Sequence, residues 1–411
     1  MIIFYWLLSY VILPFIPLYL YKRSKKNSEY KKFWYERFML SCNKDIKENI
    51  IWFHSVSVGE TRAMQKMIAL FSLHNPDYKI LITVMTPTGR LTAENLYPNC
   101  IIRYVPYDIF HIVNKFLFYY KPKICILMET EIWPTLIYLC HKKNIPVILA
   151  NARLSNRSYK NYAKFRFFIS NIINKMTLIL CQDQQTMGNF QKLNKNIPVL
   201  VTGNTKFDLI KSVCNKHFIN FKHNLSKKVI ILASSRDGEE ELFINEIRKI
   251  ENFLFIIVPR HPERFLVVEE LLKKYNVKYQ KRSDNSYLQH DTKVFLGDSM
   301  GEMFNYYEMS DLAVIGGSFL NYGGQNPIEP IFLKIPVIFG KSMFNFNDVS
   351  NNILQTKCGI CVNNFYECCQ EILKIFSSEM LYSNLKQNCD NFILKYSGAS
   401  EINFKHCQKF L

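Results

Sequence analysis

Short continuous runs of apolar residues recur along this chain, separated by segments of helix length. The first series comprises Ile50–Phe53, Ile80–Thr83, Ile101–Val105, Ile124–Met128, Val147–Ala150, Leu178–Cys181 and Val199–Thr202. A second series runs through Val229–Leu232, Phe253–Val258, Val294–Leu296, Leu312–Ile315, Val337–Phe339 and Gly359–Val362. A strand with one wet face alternates apolar and polar residues, whereas these runs are unbroken, as parallel strands covered by helices on both faces require. Between the series, Asn204 to Lys228 is polar and basic, with no strand pattern. The pattern predicts an α/β chain of two doubly wound, Rossmann-like domains facing a cleft. The expected parts are a first domain over 22–208, a linker over 209–226 and a second domain over 227–411, with the last helix packing back on the first domain. With 48% hydrophobic and 21% charged residues in 411, the chain has enough apolar matter for two cores and is not a disordered tail.

The segment before the first run has a different character. Met1 to Tyr21 carries no charge, and a helix of that length covers about 30 Å, the thickness of a bilayer core. Pro14 and Pro17 would kink it. Lys22, Arg23, Lys25, Lys26, Lys31 and Lys32 follow it. Positive charge after the apolar stretch, with no small-residue cleavage site, disfavours a secretory signal and keeps the rest of the chain in the cytoplasm. The segment is read as a membrane anchor over 1–21 that either spans the bilayer or lies along its anionic surface.

In doubly wound sheets ligands bind beyond the carboxyl ends of the strands, so the residues after each apolar run deserve the closest reading. The first strand leads into His54-Ser-Val-Ser57-Val-Gly59-Glu60 and a helix. Gly59 permits a sharp turn, the helix-start amides suit an anion, and Glu60 is either a general base or a first-turn glutamate favoured by the helix dipole. The fourth strand ends in Glu129-Thr130-Glu131-Ile132-Trp133-Pro134, whose two carboxylates share a side and repel unless cations, a ligand or a raised pKa offset the repulsion. Arg153 and Lys206, after later strands, bring positive charge to the same edge. In the second half the strand ends carry Ser234-Ser235-Arg236-Asp237-Gly238-Glu239-Glu240, Arg260-His261, Asp298-Ser-Met-Gly301-Glu302-Met303, Gly316-Gly317-Ser318 and Gly323-Gly324-Gln325-Asn326-Pro327-Ile328-Glu329. Arg260 matches a phosphate or carboxylate bidentately, paired glycines let amides approach a phosphate, and Glu329 suits ribose hydroxyls.

Other chemistries lack their motifs. Gly340-Lys341-Ser342 has Ile335 where a P-loop needs its first glycine, and no G-x-G-x-x-G, His-Glu-x-x-His or Asp-x-Asp occurs. The 12 cysteines are scattered and read as reduced thiols. Cys358, Cys361, Cys368 and Cys369 are close enough in sequence to raise zinc, but no histidine lies beside them and a buried strand accounts for the run.

Taken in order, the stretches His54–Glu60, Thr83–Gly89, Glu129–Pro134, Asn151–Ser155, Gly203–Asp208, Val258–Arg264, Asp298–Met303 and Gly323–Pro330 resemble the 3-deoxy-D-manno-octulosonic acid (Kdo) transferases of lipid A synthesis. The likeness includes the apolar N-terminus and Tyr35-Glu36-Arg37. Departures fall at Ser234, where the family tends to have Gly, at Arg236-Asp237 in place of Thr-His, and at Gln325 in place of His. The resemblance implies a GT-B glycosyltransferase that moves Kdo from CMP-Kdo to lipid IVA at the cytoplasmic face of the inner membrane, inverting, without metal or cofactor. It implies Glu60 as the base and a donor site at Arg260, His261, Gly301, Glu302, Met303, Asn326 and Glu329. Ser57, Gly59, Glu129, Glu131, Arg153 and Lys206 are expected around the acceptor or the sugar carboxylate. Two other readings remain open: an envelope GT-B enzyme using a UDP- or ADP-sugar, and a basic, membrane-tethered nucleic-acid binder. The second accounts for the net charge of +18, but the basic residues are dispersed and no nucleic-acid motif occurs, so nucleic acid is not expected as a partner.

Overall fold

The structure is a computed structural model that describes residues 1–40, 48–208, 227–284 and 288–411. The chain forms two compact units, Met1–Ile210 with Tyr396–Leu411, and Lys211–Lys395. The expected linker over 209–226 lies outside the described residues.

The first unit holds seven parallel strands: β1 (Asn49–Ser55), β2 (Tyr78–Val84), β3 (Ile101–Tyr104), β4 (Pro122–Met128), β5 (Val147–Ala152), β6 (Leu178–Cys181) and β7 (Val199–Val201), in the order β3-β2-β1-β4-β5-β6-β7. Successive side chains serve opposite faces. Ile50, Trp52, Cys125, Leu127, Val147 and Leu149 pack into one apolar layer, and Ile51, Phe53, Ile124, Ile126, Ile148 and Ala150 into the other. Both faces are dry, which is why the runs are continuous.

The second unit repeats the plan with β8 (Lys228–Ser235), β9 (Phe253–Pro259), β10 (Tyr279–Lys281), β11 (Val294–Leu296), β12 (Leu312–Ile315), β13 (Val337–Phe339) and β14 (Gly359–Cys361), in the order β10-β11-β9-β8-β12-β13-β14. Strand β10 has no counterpart among the sequence runs. It is a half-buried edge strand of Tyr, Gln and Lys, and an edge needs no apolar run. Strand order reverses between β1 and β4 and again between β8 and β12, the switch points where such sheets bind ligands.

The final helix, Ala399–Gln408, lies in the first unit. Asp208 accepts from the amides of Gly398 (2.6 Å) and Ser400 (2.5 Å) and so caps the helix start. Fully buried Asn403 donates to Thr202 Oγ1 at 2.9 Å, and Phe404 meets Phe71 edge-on with centroids 4.8 Å apart.

At the N-terminus the apolar stretch is two helices, Ile2–Ile12 and Phe15–Lys26. The break falls at Leu13–Pro14, while Pro17 sits in the first turn of the second helix, where its missing N–H costs nothing. No single helix among the described residues is long and apolar enough to cross a membrane, but this pair, bent by 54°, passes by length and composition together. One side of the first helix is fastened to the unit: Tyr5 donates to Asp108 Oδ2 (2.9 Å), Trp6 to Thr135 Oγ1 (3.1 Å), and Tyr10 pairs with His111 (3.0 Å). Ile3, Phe4, Leu7, Val11, Phe15 and Leu18 stay exposed. The adjoining Glu36 is tied to Arg90 at 2.6 Å and to the Tyr104 amide at 2.9 Å.

Candidate active site

Strand β1 ends at the first switch point and runs directly into the helix Val58–Ala63. Ser57 is its N-cap and Glu60 its third residue, a reciprocal capping arrangement. Ser57 Oγ accepts from the Glu60 amide at 3.2 Å and donates to Glu60 Oε1 at 2.9 Å, and Glu60 Oε2 accepts from the Val56 amide at 2.7 Å. The carboxylate of Glu60 is therefore buried and aimed by two short bonds. Burial raises its pKa most and the charge of Glu129 adds to that, while the Val56 and Ser57 bonds and Lys206 pull the other way, leaving it above the ordinary glutamate value. Glu60 thus caps the helix start, as the first-turn reading expects, and it is also a more basic carboxylate than a solvated one. Gly59 does not make the expected sharp turn. It lies within the helix outside the left-handed region, and a Cβ there would meet only Ser57 Oγ at 3.8 Å.

The unusual backbone falls one strand over. Glu129 follows β4 with φ +56°, and Asn151, at a register shift in β5, has φ +50°. Left-handed non-glycine residues at a strand end are strained and gather at functional sites. Asn151 Oδ1 accepts from the Thr205 amide at 3.0 Å, which anchors the loop bearing Lys206. Lys206 Nζ then reaches Glu129 Oε1 at 2.6 Å. Trp133 Nε1 donates to Glu131 Oε2 at 2.7 Å, yet burial, with the charges of Glu60 and Glu129, pushes the Glu131 pKa up to about 7. Fully buried His54 meets the Trp133 ring edge-on and shares Nδ1 with the Thr83 carbonyl and hydroxyl at 3.0 Å; burial holds its pKa down to about 4, so the ring is neutral. Ser57, Glu60, Glu129, Glu131 and Lys206 therefore form one cluster, three carboxylates facing one ammonium. Arg153 is exposed beside it, its amide donating to the Glu129 carbonyl at 3.3 Å. The supporting residues His54, Trp133 and Asn151 lay within the motif stretches, but nothing in the sequence signalled the supporting role of each.

In the second unit Ser234, the penultimate residue of β8, has φ +56° at a register shift against β9, a conformation that favours glycine. Arg260 and His261 are exposed after β9, drawn to the end of β8 by a bond from the Arg260 amide to the Ser235 carbonyl at 3.0 Å. Arg236 Nη1 meets His261 Nε2 at 2.6 Å, and its guanidinium lies 4.8 Å from the centre of the Tyr322 ring. Gly301 takes φ +81° with open space around it, and Met303 opens a half-buried helix turn. Glu302 is turned to Arg282, which donates to both its oxygens at 3.1 Å. Asn326 Nδ2 donates to Glu329 Oε1 at 3.1 Å.

The glycine loops differ from expectation. Buried Glu239 accepts from the amides of Gly317 (2.6 Å), Arg236 (2.9 Å) and Phe319 (3.0 Å). The Gly323 amide goes to Ser342 Oγ, Gly324 to the Gly317 carbonyl and Gln325 to the Gly316 carbonyl. These amides are occupied within the protein. In the sequence Glu239 was indistinguishable from an ordinary acidic helix start. No group of three or more His, Cys, Asp or Glu residues placed to hold a metal ion occurs among the described residues; Cys358, Cys368 and Cys369 are buried in packing and Cys361 is exposed.

Comparison with known proteins gives these geometries a context. A family profile described as 3-deoxy-D-manno-octulosonic-acid transferase (kdotransferase) matches residues 32–209. The 3-deoxy-D-manno-octulosonic acid transferase of Haemophilus influenzae is 35% identical over 370 residues, 88% of this chain and 87% of that protein. That of Bordetella pertussis is 32% identical over 319 residues, 74% of each chain. Among solved structures, the UDP-GlcNAc 2-epimerase of Neisseria meningitidis superposes with a TM-score of 0.60 over 88% of this chain and all of its own at 15% identity, a likeness of fold alone. The two parallel α/β units are consistent with the GT-B fold. With a relative 35% identical across 88% of its length, this chain belongs to the 3-deoxy-D-manno-octulosonic acid transferase family.

Proposed function

We propose that the protein transfers Kdo from CMP-Kdo to a hydroxyl of lipid IVA in lipopolysaccharide synthesis, with Glu60 as the general base. The observation that carries the mechanism is the buried Glu60 carboxylate, aimed by Val56 and Ser57 and made more basic by burial and by Glu129. Glu60 takes the proton of the acceptor hydroxyl as its oxygen bonds to the anomeric carbon of Kdo. The bond from that carbon to the phosphate oxygen breaks, and CMP leaves with the electron pair, so the configuration inverts. The departing phosphate gains charge that Arg260 is suited to hold. Lys206 and Arg153 supply positive charge for the sugar carboxylate or the acceptor phosphates, with Glu129 fixing Lys206 in place. Glu302, spent on Arg282, shapes the donor loop instead of touching the nucleotide.

The proposal includes the inner-membrane surface, with both units in the cytoplasm. The acceptor is a lipid, and the N-terminal helix pair turns Phe4, Leu7, Val11 and Phe15 outward ahead of the basic stretch from Lys22 to Lys32. Fastening by Tyr5, Trp6 and Tyr10 favours a pair lying in the interface over a free spanning helix.

The central test is a reaction containing the protein, lipid IVA and CMP-Kdo generated in situ, read by mass spectrometry. Each transferred sugar appears as one Kdo increment, and an unchanged lipid mass rejects the proposal. Glu60→Gln should remain folded and lose roughly 10²–10⁴-fold in rate. Protection against heat by CMP and not by UDP separates this reading from an enzyme using a UDP-sugar.

A further inference from the structure

The glycine-rich loops of the second unit cannot hold an anion in the manner their sequence implies. The amides of Gly317 and Phe319 end on Glu239, and those of Gly323, Gly324 and Gln325 on Ser342, Gly317 and Gly316. The helix after them, Ile328–Phe332, is a single short turn containing Pro330, and its first amide goes to Asn326 Oδ1 at 3.0 Å. The amides of Gly317, Phe319, Gly323, Gly324 and Gln325 are therefore not available to a phosphate at the β8/β12 switch point, which leaves a larger share to side chains.

Most arginines nearby are already spent. Arg264 pairs with Asp237 at 2.5 Å and Glu240 at 3.0 Å, and Arg282 with Glu302. Arg236 differs: its guanidinium contacts are His261 Nε2 and the face of Tyr322, and no carboxylate of the described residues pairs with it. To accept from a guanidinium at 2.6 Å, His261 Nε2 must carry no proton, so this contact orients Arg236 without neutralising it. The side chain lies along the Gly317 turn. A Cβ on Gly317 would stand 3.4 Å from Arg236 Cγ and 3.2 Å from Gln325 Nε2. Arg236 and Gln325 thus flank one glycine. Arg260 projects from the neighbouring strand end, also without a carboxylate partner among the described residues.

We infer that Arg236 is a donor-binding residue. It contacts the nucleotide phosphate jointly with Arg260 over the Gly316–Gly317 turn, oriented by His261 and Tyr322. The inference rests on the CMP-donor reading. Uncompensated, pre-oriented guanidinium beside a turn whose amides are occupied is suited to bind a phosphate, and its planar fork does so with direction that a lysine lacks.

Calorimetry on the full chain with CMP and with cytidine isolates the phosphate. In Arg236→Ala the CMP affinity should fall about 10- to 100-fold while cytidine affinity stays within about twofold, and Arg236→Lys should recover only part of the loss. An equal change for CMP and cytidine, or none for either, overturns the assignment; an equal loss marks Arg236 as structural. The wild-type protein reports separately on the donor reading. If it binds neither CMP nor cytidine, that reading fails and takes this one with it, whereas wild-type CMP binding that survives Arg236→Ala rejects only the role of Arg236.

Discussion

At Glu131, burial and two neighbouring carboxylates act in the same direction, raising the pKa from 4.5 to about 7. Between these values the folded chain retains a proton that the unfolded chain has released. This contribution to stability is fully present below about pH 4.5 and is lost as pH rises through about 7. Glu131→Gln, a neutral side chain of the same shape, should remove that component. Its melting temperature should fall less than that of the wild type between pH 5 and pH 8, and parallel curves would show that Glu131 titrates normally. At this scale the sequence disclosed types and positions. Glu60 was legible as an acid at a helix start, and Glu129 and Glu131 as a pair. The partners that decide their charge were not legible: Lys206 is far along the chain from Glu129, and the bond from Trp133 to Glu131 depends on the turn between them. Ser234 was not legible either: nothing in the sequence announces its left-handed φ of +56°, a conformation that favours glycine.

Among the elements, the loops at the second switch point are welded together rather than left open. Glu239 receives the amides of Arg236, Gly317 and Phe319 and so joins the loop after β8 to the loop after β12. Gly316 lets them close: a Cβ there would fall 2.5 Å from the Ser234 carbonyl oxygen and 2.7 Å from Ser235 Cα, both backbone. Gly316→Ala should cost about 2–3 kcal/mol, a fall of roughly 5–10 °C in the melting of a unit this size, and should weaken CMP binding because Arg236 is carried on the displaced loop. Wild-type melting would show that the loops yield more freely than their contacts indicate. Strand positions were legible because a buried parallel strand must be apolar along its whole length. Strand β10 was hidden for the same reason, since an edge strand of Tyr279, Gln280 and Lys281 carries no such demand. The glycine pairs identified a turn, but whether their amides face a ligand or a buried carboxylate depends on a glutamate some 80 residues away.

Over the whole molecule, the outward apolar face of the N-terminal helices and the net charge of +18 point to one consequence. The protein should sediment with vesicles containing phosphatidylglycerol, less so at high salt, which screens the basic stretch. Replacing Phe4, Leu7 and Val11 with Ser should release it while leaving Tyr5, Trp6 and Tyr10 to hold the helix in place. Undiminished sedimentation of that variant would reject the in-plane reading. The class of architecture, the number of sheets and the family were legible before folding was considered, because these follow from local periodicity and from motifs a few residues long. Which cations are paired with carboxylates and which are not emerges only once the chain is folded. Arg264 is paired with Asp237 and Glu240 and Arg282 with Glu302, Lys206 is positioned by Glu129, and Arg236 carries no carboxylate partner among the described residues. Residues 396–411 complete the first unit, as expected of the last helix, but the contacts of Asp208 and Asn403 that fix it there form only in the folded chain. Hydrophobic patterning is a property of neighbours in sequence, but pairing of charges and closure of a core are properties of neighbours in space, and these arise only when distant segments meet.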